Sequence, residues 1–207
     1  MAKQKKDRSA EEKILIAAKN IFITKGLDGA RMQDIADEAK INKALLHYYF
    51  RNKESLFEVI FKEAISNFIP RILSIIDADV PLFDKIRIFT GEYITTISEN
   101  PYLPLFIMNE INKRPRSVVE KVFGDKRPDL TKLVLQIEGE IKAGIIKNIS
   151  PVQLIVNMLS ICIFPFIAKP MIQQVIKMDE LQFRHFMEQR KTEVSNFIID
   201  SIKSNTT

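Results

Sequence analysis

From Ile14 onward the apolar residues Ile14, Ala17, Ala18, Ile21 and Phe22 recur at intervals of three and four, the spacing that lines one side of an α-helix. The stripe predicts a first helix from Ser9 to about Lys25, opened by a Ser9/Glu12 capping box and closed by Gly26. Residues 1–8 carry charge without that pattern and are read as a basic, disordered arm. Met32, Ile35, Ala36 and Ala39 repeat the helical spacing over a second, shorter segment. After Lys40 and Ile41 a third helix opens at Asn42, whose side chain suits an N-cap. Within it Leu46 and Phe50 lie four apart and face inward, which turns Lys43, Ala44, His47 and Tyr48 to the opposite side. Asn52 caps a long fourth helix carrying Leu56, Phe57, Ile60, Phe61, Ile65 and Phe68, which Pro70 kinks or ends.

Farther on, Pro81, Pro101, Pro115, Pro128 and Pro151 each suit the first turn of a helix. They divide the chain into helical blocks of about 81–99, 101–113, 127–147, 151–168 and 179–203. Leu82, Ile86, Phe89, Tyr93 and Ile97 line one face of the first block, and Leu130, Leu133, Ile137, Ile141 and Ile145 one face of the third. Tyr102, Leu105, Phe106 and Met108 add bulky, adaptable side chains between them. Ser150 with Gln153 and Asp179 with Gln182 are capping boxes or near relatives. The block they open at 151 is apolar nearly all round and needs cover beyond its own chain. The last is amphipathic, with Phe183, Phe186, Met187, Val194, Phe197, Ile198 and Ile202 on its apolar side. Two such helices from each of two copies make a four-helix interface, so a homodimer is expected, with Leu159 and Phe197 in its contact.

Composition agrees with an all-α fold: 207 residues, 46% hydrophobic, with only 6 Gly and no Trp. Charge is unevenly placed. Residues 1–53 carry 12 Lys and Arg against 7 Asp and Glu, whereas the remainder carries 19 of each, so the whole excess of +5 sits on the first quarter. A solvated basic tail would look similar, but here the charge coincides with a patterned motif, as a phosphate-binding surface requires. The single Cys162, flanked by Ile161 and Ile163, forms no internal disulfide, reads as a small core residue, and fits a reducing cytoplasm. No signal peptide is read at the N-terminus. The most hydrophobic run, 154–168, is too short to span a bilayer, and no membrane partner is expected.

Catalysis has little to work with. No nucleophile elbow, phosphate-binding glycine loop, HExxH or CxxC occurs, and the two histidines, His47 and His185, lie on different predicted helices. No enzyme activity, metal or cofactor is expected.

The short link between the second and third helices is helix-turn-helix spacing. The outward face of the third helix is basic, aromatic and small, which suits a major groove: Lys reads guanine acceptors, a methyl side chain touches thymine, and His or Tyr reaches phosphate oxygens. The segments IAAKNIFITKGLDG, MQDIADEA and KALLHYYFRNKESLF, in that order, resemble the DNA-binding domain of the TetR (tetracycline-repressor) family of bacterial transcription regulators. The resemblance implies that Lys43 and Ala44 take base-edge positions, His47 and Tyr48 backbone-contacting ones, and Lys53 that of a phosphate-binding lysine. Arg31 and Asn42 are counted with them as DNA-binding candidates. The chain departs from the family at Ala30, where a helix-capping Thr or Ser is usual, at Lys40, where the turn usually has Gly, and at His47, a common Tyr. The resemblance further implies a helix-turn-helix domain over 1–52, followed by a ligand-binding and dimerisation domain over 53–207. Its inducer cavity would draw on Phe61, Phe68, Phe89, Tyr93, Tyr102, Phe106 and Met108. Bound there, a small apolar or amphipathic effector would release a dimeric repressor from a palindromic operator in double-stranded DNA. The same side chains could equally be plain core, and the fourth helix an inert connector. An all-helical protein-interaction adaptor without sequence-specific DNA binding is the competing function.

Overall fold

Helix α1 spans Ala2–Gly29 and is broken at Gly26, where φ is 68° and ψ 171°. It belongs to a computed structural model that describes residues 2–101, 103–105, 107–108 and 129–204, the side chains of 2–9 and 67 excepted. The helix begins well ahead of Ser9, so the expected disordered arm is helical and Ser9 lies inside a helix instead of capping one. Residues 2–12 contain no Gly or Pro and are rich in Ala, Lys, Gln, Arg and Glu, all strong helix formers. Gly26 supplies the positive φ that ends the regular run, as the sequence suggests.

Helices α2 (Met32–Glu38) and α3 (Lys43–Tyr49) follow, separated by the tight link 39–42. In that link the Ala39 N–H returns to the Ile35 carbonyl at 2.9 Å and the Ile41 N–H to that of Ala36 at 3.0 Å. Lys40 takes the left-handed conformation between them, with φ of 55°. The Asn42 side chain caps α3 by accepting the Leu45 N–H at 2.7 Å. Helix α4 (Lys53–Asp77) is capped in the same way, Asn52 accepting the Ser55 N–H at 2.8 Å. Ile14, Ala18, Phe22, Ile35, Ala36, Leu46, Leu56, Phe57 and Ile60 are buried. Phe22 meets Phe57 edge-on with centroids 5.2 Å apart. Each Ile, Leu or Phe among them, taken out of water, stabilises by roughly 1.5–3 kcal/mol, and each Ala by less.

Pro70 does not end α4, which continues to Asp77. The missing N–H and ring clash cost about 3 kcal/mol in a helix interior, which burial of Ile72, Ile75 and Ile76 beyond the proline, at roughly 1.5–3 kcal/mol each, outweighs. The chain divides into two compact units, the first reaching Asn67 and the second starting at Phe68, so α4 contributes to both.

The second unit holds the end of α4, then α5 (Leu82–Glu99), α6 (Thr131–Lys142), α7 (Pro151–Ile167), α8 (Lys169–Ile176) and α9 (Glu180–Ile202). Helix α5 packs chiefly on α9 and also on α7. Ile86, Ile94, Ile137, Leu154, Cys162, Phe183, Met187 and Ile198 share one core there. Among the described residues there is no strand, so the all-α class holds.

Four details depart from the sequence pattern. Helix α6 stops at Lys142 because Gly144 turns left-handed (φ 72°), which takes Ile145 off the predicted stripe and leaves it exposed. Ile146 is buried instead and pairs antiparallel with Lys203, supported by Lys147 N–H to Ile202 O at 2.7 Å and Ser204 N–H to Ile145 O at 3.1 Å. Ser150 takes the N-cap position of α7 without a side-chain bond, whereas Asp179 and Gln182 close a full capping box on α9, both bonds 2.8 Å. Helix α8 has no counterpart in the periodicity. It starts because Pro170 occupies its first turn, and it ends at left-handed Lys177 (φ 58°). Of the block expected over 101–113, residues 103–105 and 107–108 are helical and 109–113 lie outside the described residues. No single described helix is long and apolar enough to cross a membrane; α7 and α8 meet that criterion only jointly, bent by 69°.

Candidate nucleic-acid interface

Helix α3 sorts its side chains by period. Leu46 is 0% and Phe50 6% exposed, while Asn42, Lys43, Ala44, His47 and Tyr48 all face solvent, Tyr48 at 79%. The outward row therefore forms one continuous exposed strip. Tyr48 rests edge-on against Tyr49, with centroids 5.3 Å apart, which restrains its ring without covering it. His47 Nδ1 lies 3.2 Å from the Arg51 carbonyl, an attractive contact only when Nδ1 carries the proton. Nε2 is then the outward atom.

Arg31 is exposed and extended (φ −119°) at the start of α2, one residue after buried Ala30. Its own side chain offers no acceptor. Asp34 makes the reciprocal half of a capping box, its carboxylate accepting the Arg31 N–H at 3.3 Å and pairing with the Lys25 ammonium at 3.0 Å. The Lys25 hydrogen bond, foremost, holds the Asp34 carboxyl below the usual carboxylate range.

Lys53, which the resemblance makes a phosphate-binding lysine, is engaged within the chain. Its ammonium donates to the carbonyls of Leu27 at 2.9 Å, Asp28 at 3.1 Å and Ala30 at 3.2 Å. An open groove of about 320 Å³ runs between α1 and the turn after α2, lined by Lys13, Ile16, Asn20, Glu38, Lys40 and Ile41 among others; none of the expected effector residues lines it.

Of those effector residues, the structure brings together Phe68, Phe89 and Tyr93, all buried, with Tyr93 5.3 Å from Phe68 and 5.6 Å from Phe89 by ring centroids. Phe61 stacks on Phe57 at 6.3 Å in the first unit, and Met108 is exposed. Tyr102 and Phe106 lie outside the described residues. Burial raises the Tyr93 phenol far above its ordinary range. Two inward cations of the second unit have no signature in the pattern. Lys85 is 3% exposed, and half-buried Arg190 donates to the Ile161 carbonyl at 2.9 Å while its Nε is buried without a hydrogen-bond partner. Among the described residues no cluster of His, Cys, Asp and Glu could hold a metal ion.

The strip on α3, carried on a capped helix behind a tight turn, defines a helix-turn-helix DNA-binding protein. Residues 14–60 match the sequence pattern of the bacterial regulatory proteins, tetR family. The chain is 26% identical over 141 residues to the biofilm operon icaADBC HTH-type negative transcriptional regulator IcaR of Staphylococcus aureus (strain Newman), covering 67% of this chain and 74% of that one. It superposes on the hemolysin II transcriptional regulator HlyIIR with a TM-score of 0.60 at 26% identity, over 96% of this chain and 99% of that one. On the TetR-family regulator PfmR of Thermus thermophilus the TM-score is 0.65 at 16% identity, over 90% and 97%, a likeness of fold. Together these likenesses support a DNA-binding transcriptional regulator of the TetR type. Proteins of this family are transcription factors and not enzymes.

Proposed function

We propose that the chain acts in the cytoplasm as a homodimeric repressor, released from a palindromic operator by a small apolar or amphipathic molecule. The observation that carries the dimer is the double face of α7. Leu154, Met158, Cys162 and Phe166 bury one side in the unit's own core, while Val152, Val156 and Leu159, at helical spacing, are exposed at 63%, 49% and 38%. Phe164 on α7 and Phe197 on α9 add exposed aromatic surface, 55% and 66%. A second apolar face on a helix already buried on its first calls for a partner, and a second copy offers the same face by two-fold symmetry. Two α3 strips so related read two half-sites of inverted sequence.

Residues 1–52 serve as the DNA-binding domain and 53–207, opened by α4, as the regulatory one. Arg31, Asn42, Lys43, Ala44, His47 and Tyr48 meet the duplex. The Phe68, Phe89 and Tyr93 rings touch, so an effector enters among them only by parting them, and α4, which bears Phe68, carries the displacement. The Staphylococcus aureus relative is a negative transcriptional regulator, which supports repression.

Binding of the purified protein to a random duplex pool across a salt series tests the proposal. A steep fall in affinity with salt, together with recovery of an inverted-repeat sequence, supports it. Absence of duplex binding at low salt would leave the adaptor as the better account.

A further inference from the structure

We infer that Lys53 is a positioning residue whose ammonium straps the helix-turn-helix shut, and that its side chain is not a phosphate ligand. Lys53 opens α4, at the helix end where backbone N–H groups disfavour a cation. Its side chain resolves that conflict by leaving the end of α4 for the end of α1. There, beyond the break at Gly26, the carbonyls of Leu27, Asp28 and Ala30 point at Nζ from 2.9, 3.1 and 3.2 Å. An ammonium has three N–H donors, and here each has an acceptor.

The strap closes a ring. From Ala30 the chain runs through Arg31 into α2, across the turn into α3, and through only Phe50, Arg51 and Asn52 to Lys53, which returns to Ala30. Ala30 is 2% and Phe50 6% exposed, so both shoulders of the ring are fixed in the core. Helices α2 and α3 therefore cannot tilt against the start of α4 without breaking charge-assisted bonds, and any shift of that start is passed to the strip that faces DNA. The inference rests on the DNA-binding reading of α3.

A phosphate contact and a strap respond oppositely to arginine. A guanidinium binds phosphate at least as well as an ammonium does, but its flat fork cannot serve three carbonyls converging on one point. Full-length Lys53→Met and Lys53→Arg are compared with wild type on a duplex selected by the wild-type protein from a random pool and on its scrambled version. The comparison runs across a salt series, well below the unfolding temperature of each variant, with amide exchange followed alongside.

With a strap, both variants lose at least about tenfold in preference for the selected duplex. Their log-log salt slopes on the scrambled duplex stay at the wild-type value, and the amides of residues 27–31 exchange faster. The inference is overturned if Lys53→Met lowers the slope by about 0.9 per subunit and Lys53→Arg restores wild-type binding with exchange unchanged. It is equally overturned if exchange quickens while preference is kept, since the contact would then be structural only. Should Lys53→Met fail to fold, Lys53→Arg alone separates these outcomes. A wild-type protein that binds no duplex defeats the DNA-binding reading, and the exchange of residues 27–31 in Lys53→Arg still tests the strap.

Discussion

The ammonium of Lys85, 3% exposed, donates to the carbonyl of Ile76 at 2.7 Å, near the last turn of α4. Lys132 donates to the next carbonyl, that of Asp77, so side chains from α5 and α6 satisfy the free end of α4, while Gln136 holds the Val80 carbonyl in the link that follows. Burial, foremost, and the neighbouring Lys132 lower the Lys85 pKa, with Asp77 and Asp79 opposing. A lysine whose pKa is depressed on folding binds fewer protons in the native state than in the unfolded chain. Its contribution to stability therefore rises with pH between the folded value and the unfolded 10.5. Urea unfolding of wild type and Lys85→Met at pH 7, 8, 9 and 10 should give a stability difference that moves in favour of wild type as the pH approaches 10.5. A difference independent of pH would contradict it.

The exposed face of α7 and Phe197 gives the second prediction. An obligate interface buries roughly 2,000 Å² or more, and an unpaired carboxylate at its centre costs several kcal/mol. Leu159→Asp and Phe197→Asp should each sediment as monomers or precipitate. Two soluble, fully dimeric variants of wild-type stability would place the contact elsewhere.

On α3 the outward residues should differ in kind. Lys43→Ala, near the N-terminus of the helix, should lose about 1–3 kcal/mol on the preferred duplex and relax one base pair of each half-site. Tyr48→Phe removes one hydrogen bond from a neutral donor to a phosphate, and no cation. It should weaken selected and scrambled duplexes alike by about 1.5–3 kcal/mol with no change of salt slope. If both variants weaken both duplexes equally in a gel-shift titration, the strip does not read sequence.

Lys40, at φ 55°, sits in the region where a Cβ is crowded. Relief of that crowding is worth about 1–2 kcal/mol, against about 0.5–1 kcal/mol of added unfolded-chain entropy for Gly. Lys40→Gly should raise the urea midpoint by the equivalent of about 0.5–1 kcal/mol. A lower midpoint would mean that the Lys40 side chain contributes something its exposure does not suggest.

Much of the first unit was legible from the sequence because its signals are local. The period that buries Leu46 and exposes Lys43 and Tyr48, the Asn42 and Asn52 caps, and the Gly26 break all lie within a few residues of what they decide. Lys53 was not legible, since its acceptors lie 23 to 26 residues back along the chain and are backbone carbonyls with no residue signature. Lys85 and Arg190 escaped for the same reason: each is held inward by a carbonyl on another turn. Helix α8 did carry a signal, Pro170 in its first turn, but eight residues with none buried give no apolar period to detect. The end of α6 hinged on Gly144, which the run of isoleucines around it concealed.

Cys162 equips the second unit with a chemical stopwatch. It is the one thiol in the sequence, it is fully buried at the centre of α7, and burial pushes its pKa up to about 12. A thiol reagent can react only during the moments when that core parts, so the labelling rate counts openings that no static view records. Whatever clamps α7, a second subunit or a bound small molecule, must lengthen the interval between labelling events, and the protein reports its own occupancy without an attached dye.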